Sequence, residues 1–259
     1  MAISLASLRR SDVPKPPIVV CYGVAGIGKT LLGSAAAAPV FLQTEDGFGG
    51  IVSDTFGVLH SYGEVMEAIS VLYAEPHEFR TVVLDTLDHL EPMVWRQAAT
   101  ENGWADIETP GWGKGYVAAA DTWRNLLDGL TALRNERGMT VIMLAHSEVK
   151  KHSNPESDPY DRYRVKLHDK AAALVVERAD AVLFANYRVS TTPTSASTKD
   201  KKVVRAVGNG DRVLYTEERP GFIAKNRFSM PATLPLDWAA VAEWIPYYAA
   251  TTPAVAEAA

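Results

Sequence analysis

Cysteine is nearly absent from this 259-residue chain: Cys21 is the only one. A lone thiol excludes an internal disulfide framework and any zinc cluster built on cysteines, and it points to a reducing, cytoplasmic setting. Surplus positive charge is also missing. A formal net charge of −5 provides no global field to draw in nucleic acid or anionic membrane, so a polyanion must be held by a local patch or loop. No apolar run approaches the ~20 residues that span a bilayer, and no membrane partner is expected. The opening "MAISLASLRRSDVPKPP" puts its arginines after a short apolar stretch, the reverse of an export signal. Internal repeats are absent too. What is present, 47% hydrophobic and 22% charged residues, is the composition of a globular protein with a sizeable core.

Residues 1–16 read as a flexible arm, 17–248 as a single domain and 249–259 as a disordered tail. Apolar runs at 17–23, 39–46, 79–90 and 140–147 read as strands, with 79–90 running into a polar tip. Between them, 29–38, 61–74 and 117–137 carry helical spacing, and Gly138 ends the last of these. Strands that are almost wholly apolar and alternate with helices predict an α/β fold. Its central sheet would be mostly parallel, with helices on both faces. Residues 148–168 are polar and read as a long loop. A helix and strand over 172–189 follow, then a hairpin tip at 191–202. The runs "VVRAV", "RVLYTEE" and "FIAKNRF" continue as antiparallel C-terminal strands.

The stretch "VCYGVAGIGKT" carries the chemistry. Gly23, Gly28, Lys29 and Thr30 complete the pattern G-x-x-x-x-G-K-[ST], directly after a strand and opening a helix. Glycines let backbone N–H groups turn toward phosphate oxygens, so Gly23, Val24, Ala25, Gly26, Ile27 and Gly28 form the expected cradle. Lys29 would reach the β- and γ-phosphates of ATP, and the Thr30 hydroxyl would bind Mg²⁺. A second acid is needed for the metal's water shell, and Asp85 supplies it at the end of "TVVLD". The plain alternative for Asp85 is a helix N-cap before "LDHLEP". Thr86 stands where many AAA-type ATPases place a catalytic glutamate. The water-polarising base must then come from Glu45 or Asp46, at the tip of the strand after the P-loop helix, with Asp88 a weaker candidate.

These features resemble the RecA-type core. Glu45 matches the position of the family's catalytic glutamate, and Asp85 followed by a hydroxyl matches its second acid motif. "VIMLAHSEVK" resembles its sensor strand, with His146 at the sensing position usually held by glutamine. More closely, "GKGYVAAADTW", "AHSEVKKH", "DRYRVKLHDKAAALVVERADAVLFANY" and "AKNRFSMPATLPLDW" resemble phage-encoded RecA-like ATPases grouped with single-strand annealing recombination proteins. That resemblance implies single-stranded DNA, self-assembly into a ring or filament, and a single-strand-binding protein as partners. One DNA loop would be 101–116, with Trp112, Lys114 and Tyr116 stacking on bases and meeting phosphate. A second would carry Lys150, Lys151, His152, Arg162, Arg164 and Lys166. Either loop alternatively reads as a solvated surface excursion. Lys225 and Arg227 would alternate on one strand face as trans-acting fingers toward a neighbour's γ-phosphate, or else protect an exposed edge strand.

Two other readings stay open. One is a small-molecule or nucleotide kinase, with Arg162 and Arg164 as a phosphate-clamping lid. The other is an ATP-switched assembly adaptor with little turnover.

Overall fold

The computed structural model describes Leu8 and residues 13–155, 157–193 and 204–251. Most of the N-terminal arm, most of the hairpin tip and residues 252–259 of the tail lie outside the described residues. In chain order the elements are β1 (Ile18–Gly23), α1 (Lys29–Ser34), β2 (Pro39–Gln43), β3 (Asp54–Val58), α2 (Tyr62–Ala74), β4 (Thr81–Asp85), α3 (Leu87–Glu101) and α4 (Lys114–Glu136). There follow β5 (Thr140–Asn154), β6 (Ser157–Val165), α5 (Asp169–Arg178), β7 (Ala181–Pro193), β8 (Val204–Tyr215), β9 (Lys225–Asn226), β10 (Thr233–Pro235), α6 (Trp238–Ala242) and α7 (Pro246–Thr251).

The sheet runs in the order β10-β8-β7-β1-β5-β4-β2-β3, with β6 paired to β5 and β9 to β7. From β7 to β3 every neighbour is parallel, and β8 and β10 extend the sheet antiparallel. The expected α/β class, with a mostly parallel sheet and antiparallel C-terminal strands, is the observed one. Strand periodicity divides the core. Val20, Tyr22, Leu42, Leu84 and Met143 face α2, α3, α4 and α5, whereas Val19, Cys21, Phe41, Val83 and Leu144 face α1 and α6. Both faces are therefore apolar, which is why these strands read as continuous hydrophobic runs.

Three expectations change. The polar stretch 148–168 is mainly a β-hairpin, because β5 continues to Asn154 and pairs with β6. Two of its cross-strand pairs are of opposite charge, Arg164 contacting Glu148 at 2.8 Å and Lys151 opposite Asp161, whereas Lys150 lies opposite Arg162 and both find carboxylates outside the hairpin. The strand at 79–90 stops at Asp85, and Leu87 begins the 15-residue helix α3, which buries Leu87, Leu90 and Val94. Pro92 and the acidic residues around it disguise that helix in the sequence. "FIAKNRF" forms only a two-residue strand.

Candidate nucleotide site

The P-loop leaves the C-terminal end of β1 and closes into α1. Ile27 is fully buried in the core beneath the loop, while Ala25 and Gly26 stand exposed at its tip, and Val24 packs partly against the core. Gly28 has φ 110°, a left-handed value that favours glycine, and it leads the chain into the helix. Gly23 is closed in by β7, so that a side chain there would strike the Ala185 carbonyl oxygen.

Lys29 is buried, and its ammonium donates to the loop's own Gly23 and Val24 carbonyls at 3.3 and 3.2 Å. Burial lowers its pKa, against which Asp85, Asp88 and Glu45 favour the charged form. The Thr30 hydroxyl donates to Asp85 Oδ2 at 2.8 Å. Burial raises the Asp85 carboxyl, an effect that the Thr30 hydrogen bond opposes and the Glu45 charge reinforces. The first turn of α1 and the end of β4 thus bring two side chains to one point, as a metal between them would require. Hydroxyl and carboxylate are the hard oxygen donors that suit Mg²⁺, which keeps several waters of its own.

Glu45 lies at the mouth of the same cleft, whose lining also includes Gly47, Ile51, Thr86 and His146. Its carboxylate accepts from the Thr86 hydroxyl at 3.1 Å and lies 3.3 Å from His89 Nε2. Asp46, the alternative base, is exposed outside the cleft lining. Thr44 holds the two strand tips together, since its hydroxyl donates to the Thr86 carbonyl at 2.7 Å and accepts from the Thr86 N–H at 2.8 Å.

Asp88, the weaker candidate for the base, is engaged with His146. Its carboxylate accepts the His146 backbone N–H at 2.9 Å and contacts His146 Nδ1 at 3.0 Å. Burial alone would raise its pKa, but the His146 hydrogen bonds, with the charges of His146 and His89, hold it well below the usual carboxylate range. Asp88 therefore orients His146 and is not free to act as a base.

The expected DNA-binding residues are scattered. Trp112 is 99% exposed, between Gly111 and Gly113 and beside exposed Lys114. Tyr116 belongs to the first turn of α4. It stacks on His168 with ring centres 4.1 Å apart and hydrogen-bonds Glu108, so it is not a free stacking platform. On the hairpin, Lys150 pairs with Asp169, Arg164 with Glu148 and Asp169, and Arg162 with Glu218. Lys151 is exposed, His152 stacks edge-on with Tyr160, and Lys166 approaches Asp88 at 3.7 Å.

Lys225 and Arg227 turn onto the α5–β7 connection of their own chain. Lys225 donates to the Val176 and Glu177 carbonyls at the end of α5, and Arg227 pairs with Asp180 at 3.2 Å. The short strand β9, which holds Lys225 and precedes Arg227, lies beside Ala181 and Val182, at the end of the sheet opposite the P-loop.

Sequence reasoning missed three neighbours of the cleft. His89 sits on the first turn of α3, in a stretch read mainly as the polar tip of a strand. Arg212 comes across from β8 and donates to the Ile27 carbonyl at 3.2 Å. Thr44 precedes the acidic pair, and its clamp on Thr86 has no local signature.

Residues 15–228 match the protein family described as AAA domain. A comparison with curated proteins finds no match. Among solved structures, the crystal structure of the RadB recombinase is similar, at 15% identity and a TM-score of 0.45, over 82% of this chain and 86% of that one.

Proposed function

This chain belongs to the AAA domain family, and on that premise we propose that it is a Mg²⁺-dependent ATPase with a RecA-like core. The observation that carries the reading is the 2.8 Å contact between Thr30 and Asp85 beside the buried Lys29. In this reading Lys29 exchanges the Gly23 and Val24 carbonyls for phosphate oxygens, and Thr30 and Asp85 hold the ion. Bound Mg²⁺ would supply charge neutralisation at the phosphates. Glu45 orients a water for attack on the γ-phosphorus and takes its proton as the bond to the leaving ADP breaks. His146, fixed by Asp88, senses whether the γ-phosphate is present.

Action on single-stranded DNA, in recombination of the phage type, is the finer part of this proposal. It is supported by Trp112, an exposed aromatic on a glycine-flanked turn next to Lys114, the arrangement in which a base stacks and phosphate is met. The paired hairpin cations support it less. Calorimetry with Mg·ATP tests the core: wild type gives binding heat and Lys29→Ala does not, whereas equal heats would defeat the assignment. The rate of hydrolysis with and without single-stranded DNA tests the rest. Stimulation that disappears in Trp112→Ala is expected, and phosphate transfer to a nucleoside or nucleotide would instead favour a kinase.

A further inference from the structure

We propose that Glu45, His89 and His146 form a binding site for a divalent transition metal of the zinc class, separate from the Mg²⁺ position at Thr30 and Asp85. One ligand atom from each residue lies within 4.8 Å of the other two. His89 Nε2 and Glu45 Oε2 are already 3.3 Å apart. Zinc bonds of about 2.0–2.2 Å in a tetrahedron set ligand atoms roughly 3.3–3.5 Å apart, so this pair needs no rearrangement. The remaining closure is between the two imidazoles, whose ring centres lie 6.0 Å apart, and the 44% exposure of the His89 side chain leaves room for it.

Ligand chemistry separates this site from the magnesium position. Two imidazoles and one carboxylate are borderline donors that favour zinc-like ions, whereas Mg²⁺ prefers oxygen alone. Three protein ligands leave a fourth position for water, the open type of zinc coordination.

Asp88 is the second, independent observation. Its buried carboxylate lies 3.0 Å from His146 Nδ1; in the neutral tautomer that donates this hydrogen bond, Nε2 is the ring's acceptor, the state in which histidine ligates a metal. A carboxylate behind a ligating histidine fixes the tautomer and raises its basicity. The surrounding charge also permits a cation. Glu45, Asp85 and Asp88 face Lys29, and Lys166 reaches Asp88 at 3.7 Å, giving three carboxylates against two ammonium groups.

A metal held there occupies the Glu45 carboxylate and so blocks hydrolysis; this consequence, unlike the binding itself, rests on the ATPase reading. The test uses the full chain without an affinity tag and without nucleotide. Co²⁺ is the spectroscopic probe and Zn²⁺ the calorimetric one. One equivalent of Co²⁺ should give the strong visible bands of a four-coordinate ion, and Zn²⁺ should displace it. Those bands should vanish in His89→Ala and His146→Ala, persist in Lys29→Ala, and need roughly ten- to hundredfold more metal in Asp88→Asn. Because His89 is half exposed, its variant folds, and circular dichroism checks this. Wild-type affinity in His89→Ala, or no metal binding by the wild type, overturns the proposal. A protein that binds cobalt at this site yet, stripped of it and supplied with Mg²⁺, hydrolyses no ATP refutes the ATPase reading and leaves the metal site standing; ATP turnover by a protein that gives no cobalt spectrum does the reverse.

Discussion

Glu45→Gln separates turnover from binding. The amide keeps an oxygen for the Thr86 hydroxyl, which Glu45 accepts at 3.1 Å, and loses only the charge facing His89 at 3.3 Å. Both contacts are at the rim of the cleft, so folding stability should change by less than about 1 kcal/mol. Nucleotide affinity should hold or rise. The Glu45 charge is one of the influences raising the Asp85 carboxyl, and removing it lets Asp85 ionise more readily beside Thr30. Proton transfer from the attacking water loses its acceptor. A positioned general base contributes about 10²- to 10⁴-fold, which corresponds to roughly 3–5 kcal/mol of barrier. Steady-state phosphate release should therefore fall at least a hundredfold, while calorimetry with Mg·ATP returns the wild-type dissociation constant within a factor of about three. A rate within threefold of wild type would refute the role of Glu45 and leave the switched-adaptor reading in its place.

Gly23→Ala should cost both stability and nucleotide binding. Its Cβ would lie 2.2 Å from the Ala185 carbonyl oxygen, and parting β1 from β7 by about 1 Å removes several kcal/mol, visible in a thermal melt. Asp180→Ala should destabilise by about 3–5 kcal/mol in urea denaturation, because Asp180 pairs with Arg134 and Arg227 and accepts the Ile18 N–H at 3.0 Å. Lys225→Ala should lower stability by about 1 kcal/mol through the lost α5 carbonyl contacts and leave the ATPase rate per folded molecule unchanged; a hundredfold rate loss would instead restore the trans-acting finger. Burial raises the Glu91 carboxyl to about 7 from 4.5 in the unfolded chain, so the folded state holds this proton over a wider range. Stability from this group is present below about pH 4.5 and is lost as pH rises through 7, by at most about 3 kcal/mol; Glu91→Gln should flatten the urea midpoint over that window.

The sequence alone determined the P-loop and the strands of the sheet's parallel centre except β3, but not their order. Both rest on local signals: apolar strands buried on two faces, and a glycine pattern whose spacing is fixed by a phosphate-sized turn. Asp85 and Glu45 were legible for the same reason, since each closes an apolar run at the strand end where the P-loop also lies. Tertiary structure alone decided the partnerships. Asp88 became the anchor of His146 because α3 starts one residue after Thr86, a helix that Pro92 concealed. His89 reached Glu45 by the same route. Lys150, Arg162 and Arg164 read as free cations until β5 and β6 paired and brought Asp169, Glu218 and Glu148 against them. Arg227 read as a finger or an edge-strand guard, and Asp180, 47 residues away in the chain, is the partner it has within its own chain. Periodicity reports which face a residue occupies, but a charge's partner depends on which distant segments the sheet order brings together.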